Sequence, residues 1–422
     1  MPTLQGDQAL RRALRLVPTH VTRITHNARV GAVAFSPDGR LLATAGDDGS
    51  ARVVRLSDGA EVTRVTHNRW VGAVAFSPDG RLLATAGDDG SARVVRLPDG
   101  VEVTRVTHDG PVWAVAFSPD GRLLATAGGD GSARVVRLSD GVEVTRVTHD
   151  DWVRAVAFSP DGRLLATAGH DGSARVVRLP DGAEVTRVTH DRSVWAVAFS
   201  PDGALLATAG GDGSARVVRL ADGAEVTRVT HDRWVGAVAF SPDGRLLVTA
   251  GGDGSARVVR LADGVEVTRV THDGPVRAVA FSPDGTLLAT AGGDGSARVV
   301  RLPEGAEVTR VTHDGPVGAV AFSPDGRLLA TAGGDGSARV VRLPGGAEVT
   351  RVTHNGPVGA VAFSADGTLL ATAGGDGGAR VNLHRAQDLI DAALARGSRD
   401  LTPQEWRQFH PRRAEQPQTG LA

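Results

Sequence analysis

Nine histidines, His26, His67, His108, His149, His190, His231, His272, His313 and His354, stand 41 residues apart without exception. Between them the chain nearly copies itself. Residues 108–148 and 272–312 differ only at Trp113/Arg277, Arg122/Thr286, Ser139/Pro303, Asp140/Glu304 and Val142/Ala306. A length of 422 residues would otherwise suit one large domain or two to three ordinary ones. A fixed period instead demands one unit stacked on its own copies, each meeting its neighbours in the same way.

Turn chemistry cuts each unit into four extended pieces. In the third copy, VWAVAFS (112–118) is apolar and β-rich. SPDG (118–121) follows, with Pro119 suited to the second position of a type I turn and Gly121 to the fourth. LLATAG (123–128) is a second strand, and Asp130-Gly131 predicts a two-residue hairpin. SARVVRL (132–138) is a third strand, closed by SDG (139–141), and EVTRVT (143–148) is a fourth. The inner strands are apolar or small at both parities, as expected when both faces are covered. The fourth carries Thr145, Arg146 and Thr148, which suits a half-wet outer position. Glycine, proline and β-branched residues interrupt any helix longer than about seven residues. Four strands per 41 residues predict the blades of an all-β propeller.

The blade count follows from the ends. VTRITH (21–26) is a fourth-strand sequence that precedes the first unit, and the last unit stops after its third strand, ARVNL (379–383). Nine blades are expected, with strand 21–25 completing the blade begun by 354–383 and removing open edges. An incompletely closed or intermolecularly paired ring is the alternative. Nine exceeds the usual four to eight, so each blade should turn by about 40° around a wide channel. Residues 6–17 and 386–396 read as amphipathic helices, 402–406 as a short capped helix, and the tail after about 411 as disordered. The expected organisation is a lead-in over 1–19, a propeller over 20–384 and a helical tail over 385–422. If the histidine loop and the Asp-Gly hairpin share one face, the top, then both chain ends leave from the bottom.

The unit "histidine, then VxAVAFSPDGxLLATAGxDGxARVVRL" resembles the WD-repeat family over about 26–383. The resemblance implies a hydrogen-bonded relay from a loop histidine through a hairpin aspartate and a second-strand Ser/Thr to a third-strand tryptophan. His108, Asp130 and Thr126 match the first three. Val136-Arg137 stands where the family often has Trp-Asp, so the relay is expected to be truncated. QALRRALRLVP (8–18) and DLTPQEW (400–406) are similar to the flanks of propellers in large bacterial signalling proteins, including signal-transduction NTPases with a C-terminal WD-repeat sensor. No GxxxxGK[ST] loop is present, so that likeness implies a stand-alone or truncated sensor module without NTPase activity.

Function must lie where the copies differ. The largest differences follow each histidine: NARVG, NRWVG, DGPVW, DDWVR, DRSVW, DRWVG, DGPVR, DGPVG and NGPVG. A second variable position precedes the hairpin aspartate, where Asp47, Asp88, Gly129 and His170 give way to glycine. Trp70, Trp113, Trp152, Trp195 and Trp234 occupy repeats two to six, beside Arg69, Arg154, Arg192 and Arg233. Arg277 holds the place of Trp113 in repeat seven. Tryptophan and arginine dominate interface energetics. A partner-binding arc is therefore expected on the top rim: Trp70, Trp113, Trp152, Arg154, His170, Trp195, Trp234 and Arg277. The competing reading is that these tryptophans pack on neighbouring loops to fill the rim.

Other chemistries fit less well. The formal charge is -1, with 47 basic and 48 acidic residues, giving no general pull toward nucleic acid or anionic membrane. The arginines of the third and fourth strands (Arg134, Arg137 and Arg146) are expected to pair between blades with equivalents of Asp120, Asp140 or Glu143. Cysteine is absent, which excludes disulfides, zinc–thiolate sites and cysteine nucleophiles. The nine histidines are accounted for by the relay, so no metal or cofactor is expected. Nine equal His–Asp–Thr sets offer no pair of contrasting environments, and no G-x-S-x-G, HExxH or dinucleotide fingerprint occurs. No enzyme is expected. No apolar run approaches the ~20 residues of a membrane span, and the N-terminus lacks a signal-like core. The expectation is a monomeric, bacterial, cytoplasmic scaffold or sensor that binds a protein or peptide through top-face loops. The alternative is a small-molecule or carbohydrate binder using the channel.

Overall fold

The computed structural model describes residues 20–383, which form nine four-stranded antiparallel sheets. Blades one to eight span 30–66, 71–107, 112–148, 153–189, 194–230, 235–271, 276–312 and 317–353. Blade nine joins 358–383 to the N-terminal strand His20–Thr25, which pairs with Gly378–Leu383. Innermost strands of successive blades pack side by side, and Val30–Phe35 of blade one packs beside Val358–Phe363 of blade nine. The chain is thus an all-β, nine-bladed propeller closed by its own first strand, which begins one residue earlier than the sequence suggests. His20 lies opposite Asn382, so both ends of the described chain leave from the face opposite the histidines. The helices expected at 6–17, 386–396 and 402–406, and the disordered tail, lie outside the described residues.

Side-chain alternation along the strands builds the interfaces. In blade three, Val112, Leu124, Val136 and Leu138 pack on Ala84, Ala86, Ala92, Val94 and Val106 of blade two. The opposite face offers Ala125, Ala127, Ala133, Val135 and Val147 to Val153, Leu165 and Val177 of blade four. Each blade therefore has a large-residue face and a small-residue face, and large fits into small around the ring. This is why the second strand reads apolar at both parities. Each fully buried leucine contributes about 1.5–3 kcal/mol relative to exposure. One interface departs from the rule: Val248 replaces the usual alanine and is still completely buried.

The bottom turn forms as expected. The Gly121 N–H donates to the Ser118 carbonyl at 2.8 Å, and the Ser118 hydroxyl caps Asp120 at 2.6 Å. The top hairpin corrects the sequence reading. Ala127 pairs with Ala133, only Gly131 in the loop 129–131 has positive φ, and its N–H reaches the Gly128 carbonyl. That is a three-residue turn ending in a left-handed glycine, not a two-residue hairpin, which would need positive φ at Asp130 as well.

The arginine pairing is also corrected. Arg134 lies opposite Arg146 in the register of one sheet. Both guanidiniums share Glu143, at 3.8 and 2.7 Å, and Arg134 also reaches Asp130 at 3.3 Å. Arg137 pairs with Asp140, while Asp120 pairs with Arg122. These pairs form within a blade, because two like charges face each other across adjacent strands and need an acid between them.

Every innermost strand carries a further feature that the period hides. Val112 pairs with Gly128 but Ala114 pairs with Ala127, leaving Trp113 as an extra residue. The same slip recurs at the fifth residue after each of the nine histidines. β-Bulges of this kind re-aim a side chain at the rim of a sheet.

Candidate functional site

Beneath the top rim each blade carries a buried polar set. His108 Nδ1 lies 2.9 Å from Asp130, and Nε2 lies 2.8 Å from the Thr126 hydroxyl. The Ser132 hydroxyl donates to Asp130 at 2.7 Å and stands 3.1 Å from Nδ1. Asp130 also accepts the backbone N–H groups of Ser132 and Asp109, at 2.9 and 3.2 Å. One tautomer satisfies the set: Nδ1–H donates to the carboxylate and the threonine hydroxyl donates to Nε2. Burial lowers the histidine pKa and outweighs the aspartate's opposing pull. In Asp171, Asp212, Asp294 and Asp376 burial works upward, but hydrogen bonds from histidine and neighbouring backbone win and hold the pKa at about 2. Gly128 is required here, since a Cβ would collide with both His108 and Asp130.

The truncated relay is what the structure shows, with an addition. Val136 occupies the tryptophan position and packs in the apolar interface, so Thr126 has only the Arg134 carbonyl, 3.4 Å away, as its other neighbour. The added member is the serine after the hairpin. Its repetition in eight of nine copies was the available signal; Gly378 stands there in blade nine. Among the described residues no group of three His, Cys, Asp or Glu side chains is arranged to hold a metal ion.

Above this layer the variable positions converge at blade junctions. At three junctions the third residue after a histidine reaches the fifth residue after the preceding one. Trp152 meets Trp113 of the preceding blade, with ring centres 6.2 Å apart and planes at 38°. Trp234 meets Trp195 at 5.2 Å and 46°. Arg29 lies over Gly359 across the closing junction, 3.4 Å from where a Cβ would stand. These three junctions therefore pair one position from each of two blades. The spacing of 39 residues between Trp113 and Trp152, and between Trp195 and Trp234, carried that information.

The residue before the hairpin aspartate sets how high a tryptophan stands. The N–H of this residue donates to the carbonyl of Trp70, Trp152 or Trp234, through Asp88, His170 or Gly252. At Gly252 nothing blocks the ring: a Cβ there would stand 2.5 Å from Trp234 Cε2, so the indole lies down on the glycine. Trp234 is accordingly only partly exposed. At His170 the imidazole takes that place, 5.6 Å from the Trp152 ring, and Trp152 is left 50% exposed. At Asp88 the carboxylate pairs with Arg69 at 3.4 Å, and Trp70 is also 50% exposed.

The expected site residues thus fall into groups. Trp113, Trp152 and His170 form one cluster, and Trp195 with Trp234 a second. Trp70 stands apart in blade two. Arg154 and Arg277 are exposed bulge residues with no ion pair among the described residues. Trp195 and Trp234 pack on each other and are partly buried, whereas Trp70 and Trp152 each keep half their surface exposed.

Comparison with curated proteins found no match. Among solved structures, the crystal structure of the computationally designed Ika8 protein is similar in fold, with a TM-score of 0.64 at 20% identity. The likeness covers 86% of this chain and 99% of that one. The family model "WD domain, G-beta repeat" matches nine times, at 18–54, 60–95, 101–136, 142–177, 183–218, 224–259, 265–300, 306–341 and 347–381. With its nine repeats matched and its nine blades closed into a ring, the chain belongs to the WD40 repeat family.

Proposed function

We propose that this propeller is a non-catalytic recognition module that binds a protein or peptide on its top rim, over blades two to seven. WD40 propellers are commonly protein-interaction scaffolds and are generally not enzymes. The observation that carries the reading is local. Two indoles, Trp70 and Trp152, keep half their surface in solvent, and their blades, two and four, are with blade one the only ones that carry a non-glycine residue before the hairpin aspartate. Large exposed aromatics at a concave rim are the usual anchors of an interface. No helix among the described residues is long and apolar enough to cross a membrane.

The test is retention of a cellular partner by the purified chain, with crosslinks mapped by mass spectrometry. Crosslinks at the loops that follow His67, His149 and His231, lost in the Trp70→Ala/Trp152→Ala variant, are expected. Binding unchanged in that variant, or binding on a glycan array in place of any protein, would refute the reading.

A further inference from the structure

Resting on that reading, we propose that the occupant of the rim is an acidic peptide segment with apolar or aromatic anchors. Two anchor sites would be the Trp113–Trp152 and Trp195–Trp234 pairs. The acidic residues between them would meet Arg154, Arg192 and Arg233.

The charge on the rim is sorted by radius. Aspartates directly after the histidines look outward. Arg146, held first by its hydrogen bonds to Glu143, also feels Asp109. Arg187, Arg228 and Arg269 feel Asp150, Asp191 and Asp232 in the same way, after their glutamates. These acids thus lie within the field of the outermost-strand arginines, without an ion pair of their own among the described residues. Asp88 is taken by Arg69, and Asp151 accepts the backbone N–H of Trp152 at 2.7 Å.

The cations of the inner rim are not engaged. Arg154, Arg192, Arg233 and Arg277 are exposed and form no ion pair among the described residues. Arg154 and Arg277 occupy the bulge of the innermost strand, and Arg154 lies in blade four beside Trp152 of the first pair. The remaining bulge positions are glycines, and a Cβ on Gly31, Gly72 or Gly318 would meet nothing within 4 Å. The bulge positions therefore carry tryptophan or arginine in blades three, four, five and seven and glycine in the other five. An unpaired guanidinium beside an indole favours a carboxylate carried on an apolar chain, since it supplies bidentate hydrogen bonds where the rings supply area.

A phage-displayed library of random peptides, selected on the full chain and counter-selected on a Trp113→Ala/Trp152→Ala variant, tests this. Enriched sequences should combine aspartate or glutamate with phenylalanine, tryptophan or leucine. A synthetic peptide of that kind should bind more weakly as salt rises. It should lose affinity about tenfold or more on Arg154→Ala/Arg192→Ala/Arg233→Ala, with melting unchanged. Enrichment of lysine-rich, arginine-rich or neutral sequences would overturn the acidic occupant while leaving peptide recognition standing. No enrichment over the tryptophan variant would overturn both. Heparin or single-stranded DNA outcompeting the acidic peptide would overturn it in favour of an anionic polymer.

Discussion

The interfaces between blades and the junctions on the top rim are made by the same nine repeats, yet they have diverged to different degrees. At the interfaces Leu124, Ala125, Thr126 and Ala127 recur in almost every copy, and Val248 is the lone change in the second strands. On the rim, the fifth residue after the histidine is tryptophan in two copies, arginine in two and glycine in five, and the third is arginine, serine, tryptophan or proline. An interface residue touches packed neighbours on every side, so a changed volume is felt at once. A rim residue has solvent on one side and can change without strain. The fold is held where the copies agree, and recognition is free to develop where they differ.

The comparison is broken most severely at the closing seam. Ile24, 4% exposed, packs with Ala371, Ala379 and Val381 of blade nine and Leu42 and Val54 of blade one. Ile24→Asp should cost at least about 3 kcal/mol and free the N-terminal strand, because a carboxylate is buried with no partner. Urea denaturation and size-exclusion chromatography would show it. Stability like the parent chain would mean that the ring does not depend on this strand.

Acid should act next, and on all blades together. The nine histidines have lowered pKa values in the fold, so the unfolded chain binds protons more readily. Their contribution is fully present above the ordinary value of 6.5 and is lost as pH falls below it. The aspartates, also lowered, add a second loss from about pH 4 down toward about 2. Melting temperature should be flat near pH 7–8 and fall steadily below about pH 6. A flat profile down to about pH 5 would contradict the buried neutral histidines.

The smallest expected effects sharpen the rim itself. Trp234→Ala should destabilise by about 1–2 kcal/mol, since the ring covers Gly252 and Trp195, whereas Trp70→Ala should cost under about 0.5 kcal/mol. His170→Gly should let Trp152 lie down, blue-shifting its emission and lowering quenching by acrylamide. Equal costs for the two tryptophans, or unchanged emission, would remove the propping role of the residue before the hairpin aspartate.

Much of this architecture is legible in the chain. The 41-residue period, the spare strand before the first unit and the missing one after the last specify nine closed blades. The local geometry of the rim is not. A bulge at Trp113 leaves no mark in a repeat whose length is unchanged, because the extra residue is present in every copy. The three-residue hairpin shares its Asp-Gly with the shorter turn, and only the register distinguishes them. The pairing of Trp113 with Trp152 crosses a blade boundary, so comparing equivalent positions within units could not reveal it. The arginines and their partners Asp140 and Glu143 were legible, but that the pairs form within a blade depends on strand register, which sets Arg134 against Arg146.

One pair of substitutions in blade four addresses the division most directly. Leu165 is fully buried against blade three and Trp152 stands half exposed above it. Thermal unfolding and affinity for the selected peptide are measured for Leu165→Ala and Trp152→Ala. Leu165→Ala is expected to cost about 2–5 kcal/mol of stability and leave the folded fraction binding as before. Trp152→Ala is expected to melt like the parent and lose binding. A large stability loss at Trp152 with affinity retained would contradict the separation of scaffold from rim.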